Sequence, residues 1–299
     1  MRLEAGTNQR LEVAREVSPH GFFLTDGTQD ILLHYSEVVG EVKTGTQVEV
    51  FLFYDTQDRL AATMREPLIK LNEVALLEVA DFHPRFGCFL EMGLGRQLLL
   101  PFRELPEMEE LRPQVGDKVF VTMTHDRQGR LVAKVAGEDL LKPLCFDAPQ
   151  SWRNTTVEAR VYKPLQMGTF VVCEGGVVGF GVIGFIHASE RTRLLRLGEK
   201  VSARITFVRE DGNVNCSMRE RKETGRGEDA DKLLDFLKER RNGAMPFSDE
   251  TPADLISQRF GMSKSAFKRA LGKLMKEGLV YQEGSWTYLK QSEEQPVSE

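Results

Sequence analysis

Met167-Gly168-Thr169-Phe170-Val171, then Gly184-Phe185-Ile186-His187-Ala188-Ser189-Glu190, then Gly198-Glu199-Lys200-Val201-Ser202-Ala203, is the stretch that decides the reading of this chain. The same order occurs twice upstream. The first copy runs His20-Gly21-Phe22-Phe23-Leu24, Ile31-Leu32-Leu33-His34-Tyr35-Ser36-Glu37 and Gly45-Thr46-Gln47-Val48-Glu49-Val50. The second runs Phe86-Gly87-Cys88-Phe89-Leu90, Leu98-Leu99-Leu100-Pro101-Phe102-Arg103-Glu104 and Gly116-Asp117-Lys118-Val119-Phe120-Val121. Each copy closes on a turn and a short strand: Asp58-Arg59-Leu60, Gly129-Arg130-Leu131 and Asp211-Gly212-Asn213-Val214. An internal repeat of this kind is the strongest architectural signal a sequence carries.

Short strands with period-two alternation, punctuated by Gly, Asp and Asn turns, predict small all-β barrels. Each copy spans about 65 to 80 residues, near the lower limit for a self-supporting core, so neighbouring barrels are expected to lean on one another. The reading is mostly β with a C-terminal α+β domain. Barrels occupy residues 1–65, 66–142 and 143–224, a winged-helix domain 225–291, and a disordered tail 292–299.

The order "Gly, one residue, Phe, apolar; apolar, apolar, His, one residue, Ser, Glu; Gly, two residues, Val" resembles the S1 RNA-binding domain, a five-stranded OB-type barrel. The first and third copies match best. The resemblance implies one barrel face that presents aromatics from the second strand, a histidine after the third, and an Asp with an Arg four residues on. The matching positions are Phe23, His34, Asp55 and Arg59 in the first copy, Phe86, Phe89, Asp126 and Arg130 in the second, and Phe170 and His187 in the third. Stacking on an aromatic is worth about 1–3 kcal/mol per base and tolerates any sequence, and arginine adds phosphate or stacking contacts. Departures weaken the inference that every barrel binds. Pro101 and Arg103 replace the histidine and serine, Arg209 and Asn213 stand where the Asp and Arg belong, and His20 and Met167 replace the aromatic before glycine. A strand phenylalanine is ordinarily core, and a turn histidine ordinarily bonds local backbone; the threefold recurrence carries the functional reading.

After Gly225-Arg226-Gly227, read as a flexible linker, the pattern turns helical. Leu233, Leu234 and Leu237 set a helix over Asp231–Arg241; Thr251-Pro252-Ala253-Asp254 opens a second, with Thr251 as cap, that Gly261 ends. Ser263 caps a third whose apolar face is Ala266, Phe267, Ala270, Leu271, Leu274 and Met275, and Gly278 stops it. Leu279-Val280-Tyr281 and Trp286-Thr287-Tyr288-Leu289 then form a hairpin, completing a winged helix. From Arg259 to Lys276 the sequence holds Arg259, Lys264, Lys268, Arg269, Lys273 and Lys276 and no acid. Lys264, Lys268, Arg269 and Lys273 are therefore candidate phosphate contacts, against the alternative of an ordinary solvated lysine face. The run Phe260 to Leu274, placed behind three S1-like copies, closely resembles the C-terminal domain of the conserved virulence factor B family. That resemblance covers nearly the whole chain and implies RNA binding and a regulatory role, with no catalytic reaction required.

The net charge of −5 argues against a generally basic coat. It is unevenly spread: residues 1–150 hold 16 Lys and Arg against 24 Asp and Glu, while residues 151–227 hold 13 against 8. A polyanion would meet its favourable field in the second half. Gly179-Phe180-Gly181-Val182-Ile183-Gly184 fits a dinucleotide fingerprint, but no helix follows to face a pyrophosphate, so no cofactor is expected and the glycines are read as relieving crowding at a bend or bulge. The five histidines lack metal-ligand spacing, and no nucleophile shows activation. Cys88, Cys145, Cys173 and Cys216 are scattered and read as reduced, buried small residues. Neither a membrane span nor a signal sequence is evident, which places the expected protein in the cytoplasm. The leading expectation is a non-catalytic binder of single-stranded RNA. The alternatives are a transcription regulator whose third helix reads DNA, and a scaffold that binds no nucleic acid.

Overall fold

The computed structural model describes residues 3–174, 181–219, 222–240 and 242–290, and for residues 222–227 the backbone only. The chain forms two compact units, Met1–Arg219 and Glu220–Glu299.

The first unit repeats one plan three times. Barrel 1 consists of β1 (Asn8–Val17), β2 (Gly21–Thr25), β3 (Asp30–His34), β4 (Gln47–Tyr54) and β5 (Leu60–Thr63), closed in the order β1-β2-β3-β5-β4. Barrel 3 consists of β11 (Thr156–Leu165), β12 (Gly168–Cys173), β13 (Val182–His187), β14 (Lys200–Val208) and β15 (Val214–Ser217), closed in the corresponding order. Between them β6 (Val74–His83), β7 (Gly87–Glu91), β8 (Gln97–Pro101), β9 (Lys118–His125) and β10 (Leu131–Val135) form a five-stranded sheet, with β8 returning beside β10. In barrels 1 and 3 the closing pair is parallel, β3 on β5 and β13 on β15.

Alternation sorts each strand into two faces. Phe22 and Leu24 on β2 and Ile31 and Leu33 on β3 point into barrel 1, while Phe23 and Leu32 point out. Cys88 and Leu90 point in and Phe89 out in barrel 2; Thr169 and Val171 point in and Phe170 out in barrel 3. The glycine that opens the second strand has a steric cause. Gly21 and Gly87 lie at φ +142° and +124°, and a Cβ there would fall 2.1 Å from the Leu33 carbonyl oxygen and 2.2 Å from that of Leu100.

The barrels share cores, as their size leads one to expect. Phe51, Phe53 and Ala61 of barrel 1 and Leu197 of barrel 3 join the core cluster of barrel 2. A second shared cluster joins Phe120 and Ala136 of barrel 2, Leu141 of the short helix α1 (Glu138–Leu141), and Tyr162, Val172 and Ile183 of barrel 3. Polar ties add registration. The Leu71 amide donates to the Gly6 carbonyl, the Leu197 amide to that of Leu111, and the Arg196 Nε lies 3.2 Å from Asp117.

Cys88, Cys173 and Cys216 are buried as expected, but Cys145 is only half-buried. The Cys173 and Cys216 thiols, 43 residues apart, meet at 3.7 Å inside barrel 3. Gly184 makes room for them, since a Cβ there would be 2.9 Å from the Cys173 sulfur. Gly184 therefore relieves crowding in mid-strand rather than at a bend. Gly179 and Phe180 of the fingerprint lie outside the described residues, and β13 runs directly into a single 3₁₀ turn, Ala188–Glu190.

The second unit comprises α2 (Lys222–Lys238), β16 (Ala244–Met245), α3 (Ala253–Phe260), α4 (Lys264–Lys276), β17 (Val280–Glu283) and β18 (Trp286–Leu289). It is a winged helix with one more strand than expected, β16 pairing with β18. The expected linker is a correction: the Gly225-Arg226-Gly227 backbone is helical, inside α2. Each glycine costs about 1 kcal/mol in a helix, and burial of Ala230, Leu233 and Leu237 further along offsets it. The helix also ends earlier than expected, at Lys238, and Arg241 lies outside the described residues, as does the expected tail 292–299. Thr251 does not cap α3; its Oγ1 accepts from the Ser248 amide instead. Ser263 does cap α4, accepting from the Ala266 amide, and Gly261 ends α3 at φ +67°. Among the described residues no helix is long and apolar enough to cross a membrane.

Gly21→Ala and Gly87→Ala should each destabilise the first unit by about 2 kcal/mol or more, because strain adds to a backbone clash. Urea unfolding followed by circular dichroism reads this; midpoints equal to the parent's would remove the carbonyl contact as the reason for glycine.

Candidate nucleic-acid interface

In each barrel the first strand carries a bulge, and the residue after it lies opposite the outward, partly buried phenylalanine of the second strand. In barrel 3 the register shifts between Val161 and Lys163, which sends Tyr162 into the core and sets Lys163 across from Phe170. Phe170 lies opposite Phe185, Phe185 beside Asn215, and Asn215 opposite Phe207. One row thus crosses all five strands: Lys163, Phe170, Phe185, Asn215, Phe207. The Phe170 and Phe185 rings are 4.9 Å apart, the Lys163 ammonium is 5.8 Å from the Phe170 ring, and Phe207 is 49% exposed. Phe185 can lie there because its neighbour is glycine: a Cβ on Gly168 would meet the ring at 2.3 Å.

The predicted residues are placed unequally. Phe23, Phe89 and Phe170 all occupy the row. Phe86 does not; it belongs to the β6–β7 turn, where it stacks on His83 at 4.5 Å. In barrel 1 the Arg15 guanidinium covers the Phe23 ring at 4.7 Å and is bonded to Asp30 at 2.6 Å, while Ala61 and Phe53, further along the row, are buried. In barrel 2 the position of Arg15 and Lys163 is an acid, Asp81, and Leu99 follows Phe89.

His34 and His187 are exposed, and each caps a 3₁₀ turn. Their Nδ1 atoms accept from the Ser36 and Ser189 amides at 3.2 Å and contact the serine hydroxyls at 2.8 Å. The His-x-Ser spacing is therefore a local backbone motif that leaves Nε2 facing away. His187 also meets the edge of Phe185 at 6.3 Å, which joins it to the row. Pro101 fills the same place in barrel 2 without a side-chain cap. Arg191, just beyond this turn in barrel 3, is buried and donates to the Leu165 and Gln166 carbonyls and to Thr169, fixing the loop beneath Phe170.

Arg59 and Arg130 are held by the aspartates four residues before them. Arg59 Nε donates to Asp55 at 2.9 Å; Arg130 makes two bonds to Asp126, at 2.9 and 2.8 Å. The other carboxylate oxygen accepts two turn amides in each case. Burial raises the Asp55 and Asp126 carboxyls, but the hydrogen bonds from Arg59 and Arg130 and the turn amides outweigh it and leave both below the usual carboxylate range. These arginines thus serve turn closure first. In barrel 3, Lys142 takes over this tie, bonding Asp147, the Asp211 carbonyl and Asn213.

On α4 the basic face is less free than its sequence implies. Lys264 reaches the Glu250 carbonyl at 3.4 Å, Lys268 lies 3.9 Å from Asp249, and Lys273 lies 3.8 Å from Glu277. Arg259 stacks on Phe236. Arg269 is exposed and without a partner among the described residues. The acids come from the loop before α3 and from the residue after α4, outside the window that held none.

Sequence reasoning passed over Lys163, Phe185 and Phe207. Aligning Val13-Ala14-Arg15, Val79-Ala80-Asp81 and Val161-Tyr162-Lys163 would have found the bulge position. Among the described residues no cluster of His, Cys, Asp and Glu could hold a metal.

Small barrels with an outward aromatic row, followed by a winged helix, define a protein built of nucleic-acid-binding modules. The matching family models follow the chain in order: an S1 domain over 5–65, the virulence regulatory factor CvfB first S1-like domain over 75–134, its second domain over 142–220, and a CvfB-like winged helix domain over 231–289. The chain belongs to the conserved virulence factor B family. It is 43% identical over 270 residues to the uncharacterized protein YitL of Bacillus subtilis, covering 90% of this chain and 89% of that one. It is 32% identical to conserved virulence factor B of Staphylococcus saprophyticus, covering 84% and 83%. A multidomain protein with nucleic acid binding domains from Streptococcus pneumoniae matches in structure with a TM-score of 0.64 at 28% identity, over 96% of this chain and 98% of that one.

The stability contributed by Asp55 and Asp126 is present above the unfolded carboxyl pKa, about 3.9, and is lost as pH falls through their lower folded values. Asp126→Asn should therefore flatten the decline of stability between about pH 5 and 2. An equal decline in parent and variant, measured by urea midpoints, would dismiss the Arg130 tie.

Proposed function

We propose that this protein is a non-catalytic regulator of expression that binds single-stranded RNA in the cytoplasm, stacking bases on the outward row of barrel 3. The observation that supports this reading most is the adjacent Phe170 and Phe185 pair, 4.9 Å apart and each partly buried, Phe170 against the core shared with barrel 2, with Lys163 at one side. A paired π surface beside a cation accepts a base and its phosphate without reading sequence. Phe23, His34, Arg59, Phe86, Phe89 and Arg130 are accessory contacts in this proposal, as is His187 at the edge of the row, and Lys264, Lys268, Arg269 and Lys273 of α4 lend phosphate attraction. Membership of a regulatory family with these modules favours control of gene expression over catalysis. The competing reading is a transcription regulator in which α4 reads the DNA major groove.

Fluorescence anisotropy with matched single-stranded RNA, single-stranded DNA and duplex DNA at two salt concentrations tests the proposal. Single-stranded RNA should bind tightest. Phe170→Leu with Phe185→Leu should weaken it roughly ten-fold or more, at an unchanged salt slope. Tightest binding to duplex DNA would replace this reading with transcriptional control.

A further inference from the structure

The winged domain has a second surface that the residues of α4 do not describe. Tyr281, Tyr288 and Trp286 stand together on the outward side of the wing hairpin, because Tyr281 pairs with Tyr288 and Glu283 with Trp286 across the ladder. The opposite side carries Val280 and Thr287, both buried. The three rings are nearly parallel. Tyr281 and Tyr288 lie 5.2 Å apart at 18°, and Trp286 and Tyr288 6.4 Å apart at 26°. Tyr281 is 41% exposed and Trp286 38%. Tyr288 has a packing role, seated over the pair position of the buried Ala244, but exposed rings at both ends of the row contribute little to the core.

Charge is split along this face, with the exposed acid Glu283 opposite Trp286 at the tip and two lysines at the base. Lys276 ends α4 just before the wing, and Lys290 follows β18; the Leu279 amide bonds Leu274 and the Lys290 amide bonds Leu279, which gathers both lysines at the base of the hairpin. Both are exposed, with no side-chain partner among the described residues. They differ in this from Lys264, Lys268 and Lys273, each of which has a carbonyl or carboxylate partner. Two cations without a side-chain partner among the described residues, at the foot of a row of nearly parallel aromatic rings, suit a chain that alternates phosphates with flat bases.

We infer that the wing, through Tyr281 and Trp286 with Lys276 and Lys290, is a nucleobase-stacking site for single-stranded nucleic acid, beside the phosphate attraction of the α4 lysines. The inference rests on the nucleic-acid reading given above, and the experiment separates the two. The chain has two tryptophans, so Trp152→Phe leaves Trp286 as the sole indole reporter. Titrating that full-length variant with an oligouridylate of about ten nucleotides, within the span of one binding module, should quench Trp286 emission in step with anisotropy of the labelled oligonucleotide. In the otherwise unaltered full chain, Tyr281→Leu with Trp286→Leu should weaken binding roughly ten-fold or more and leave the salt slope unchanged. Lys276→Ala with Lys290→Ala should reduce that slope by about 1.4. Anisotropy that reports binding while Trp286 emission stays constant and the leucine pair binds like the parent would overturn the wing site and leave the barrel reading standing. Failure of the parent chain to bind any single strand would overturn both.

Discussion

Burial of Phe51 and Phe53 from the first barrel in the core of the second is the contact on which the N-terminal unit depends. A five-stranded barrel of this length encloses too little apolar area to stand comfortably alone, and period-two strands leave half their side chains outside. Where outward residues are apolar, the economical solution is to press one barrel's outside into its neighbour. The consequence reaches the candidate interface. Positions that barrel 3 leaves open, at Phe207 and Asn215, correspond in barrel 1 to Phe53 and Ala61, which are taken up in holding the next barrel. Three copies of one motif are therefore three different surfaces.

The bulge residue sharpens that difference. Arg15, Asp81 and Lys163 occupy one geometric station, yet the first lies flat on its ring and is paired to Asp30, the second has the wrong sign for phosphate, and the third has no carboxylate beside it among the described residues. A single position two residues past a core valine thus sets the electrostatics of the face.

Much of this was legible in the sequence because alternation and repetition are read locally. The resemblance to S1 barrels put Phe23, Phe89 and Phe170 on an outward face, and the third helix and hairpin of the winged domain were read from a cap and from periodicity. What was not legible depends on partners distant in the chain. Nothing near Lys268 announces Asp249, and nothing near Phe185 announces that β13 will run beside β15 and bring Phe207 within the same row. The histidines illustrate a third case: the spacing in His34-Tyr35-Ser36 and His187-Ala188-Ser189 is a real signal, but it is first that of a 3₁₀ cap, which the backbone requires whether or not a ligand is present. The glycines between Lys222 and Glu228 show composition giving way to context, since a buried stripe downstream carries the helix through them.

Shared cores also bear on how the chain is made. Synthesis delivers the first barrel before its neighbour, at about 5–20 residues per second. Until β6 to β10 have left the ribosome, Phe51, Phe53 and Ala61 have nothing to pack against and the nascent chain carries an apolar patch in water. The first barrel is thus completed by residues not yet translated when its own strands are ready to pair. Recombination that moved it intact into another protein would carry that uncovered patch with it.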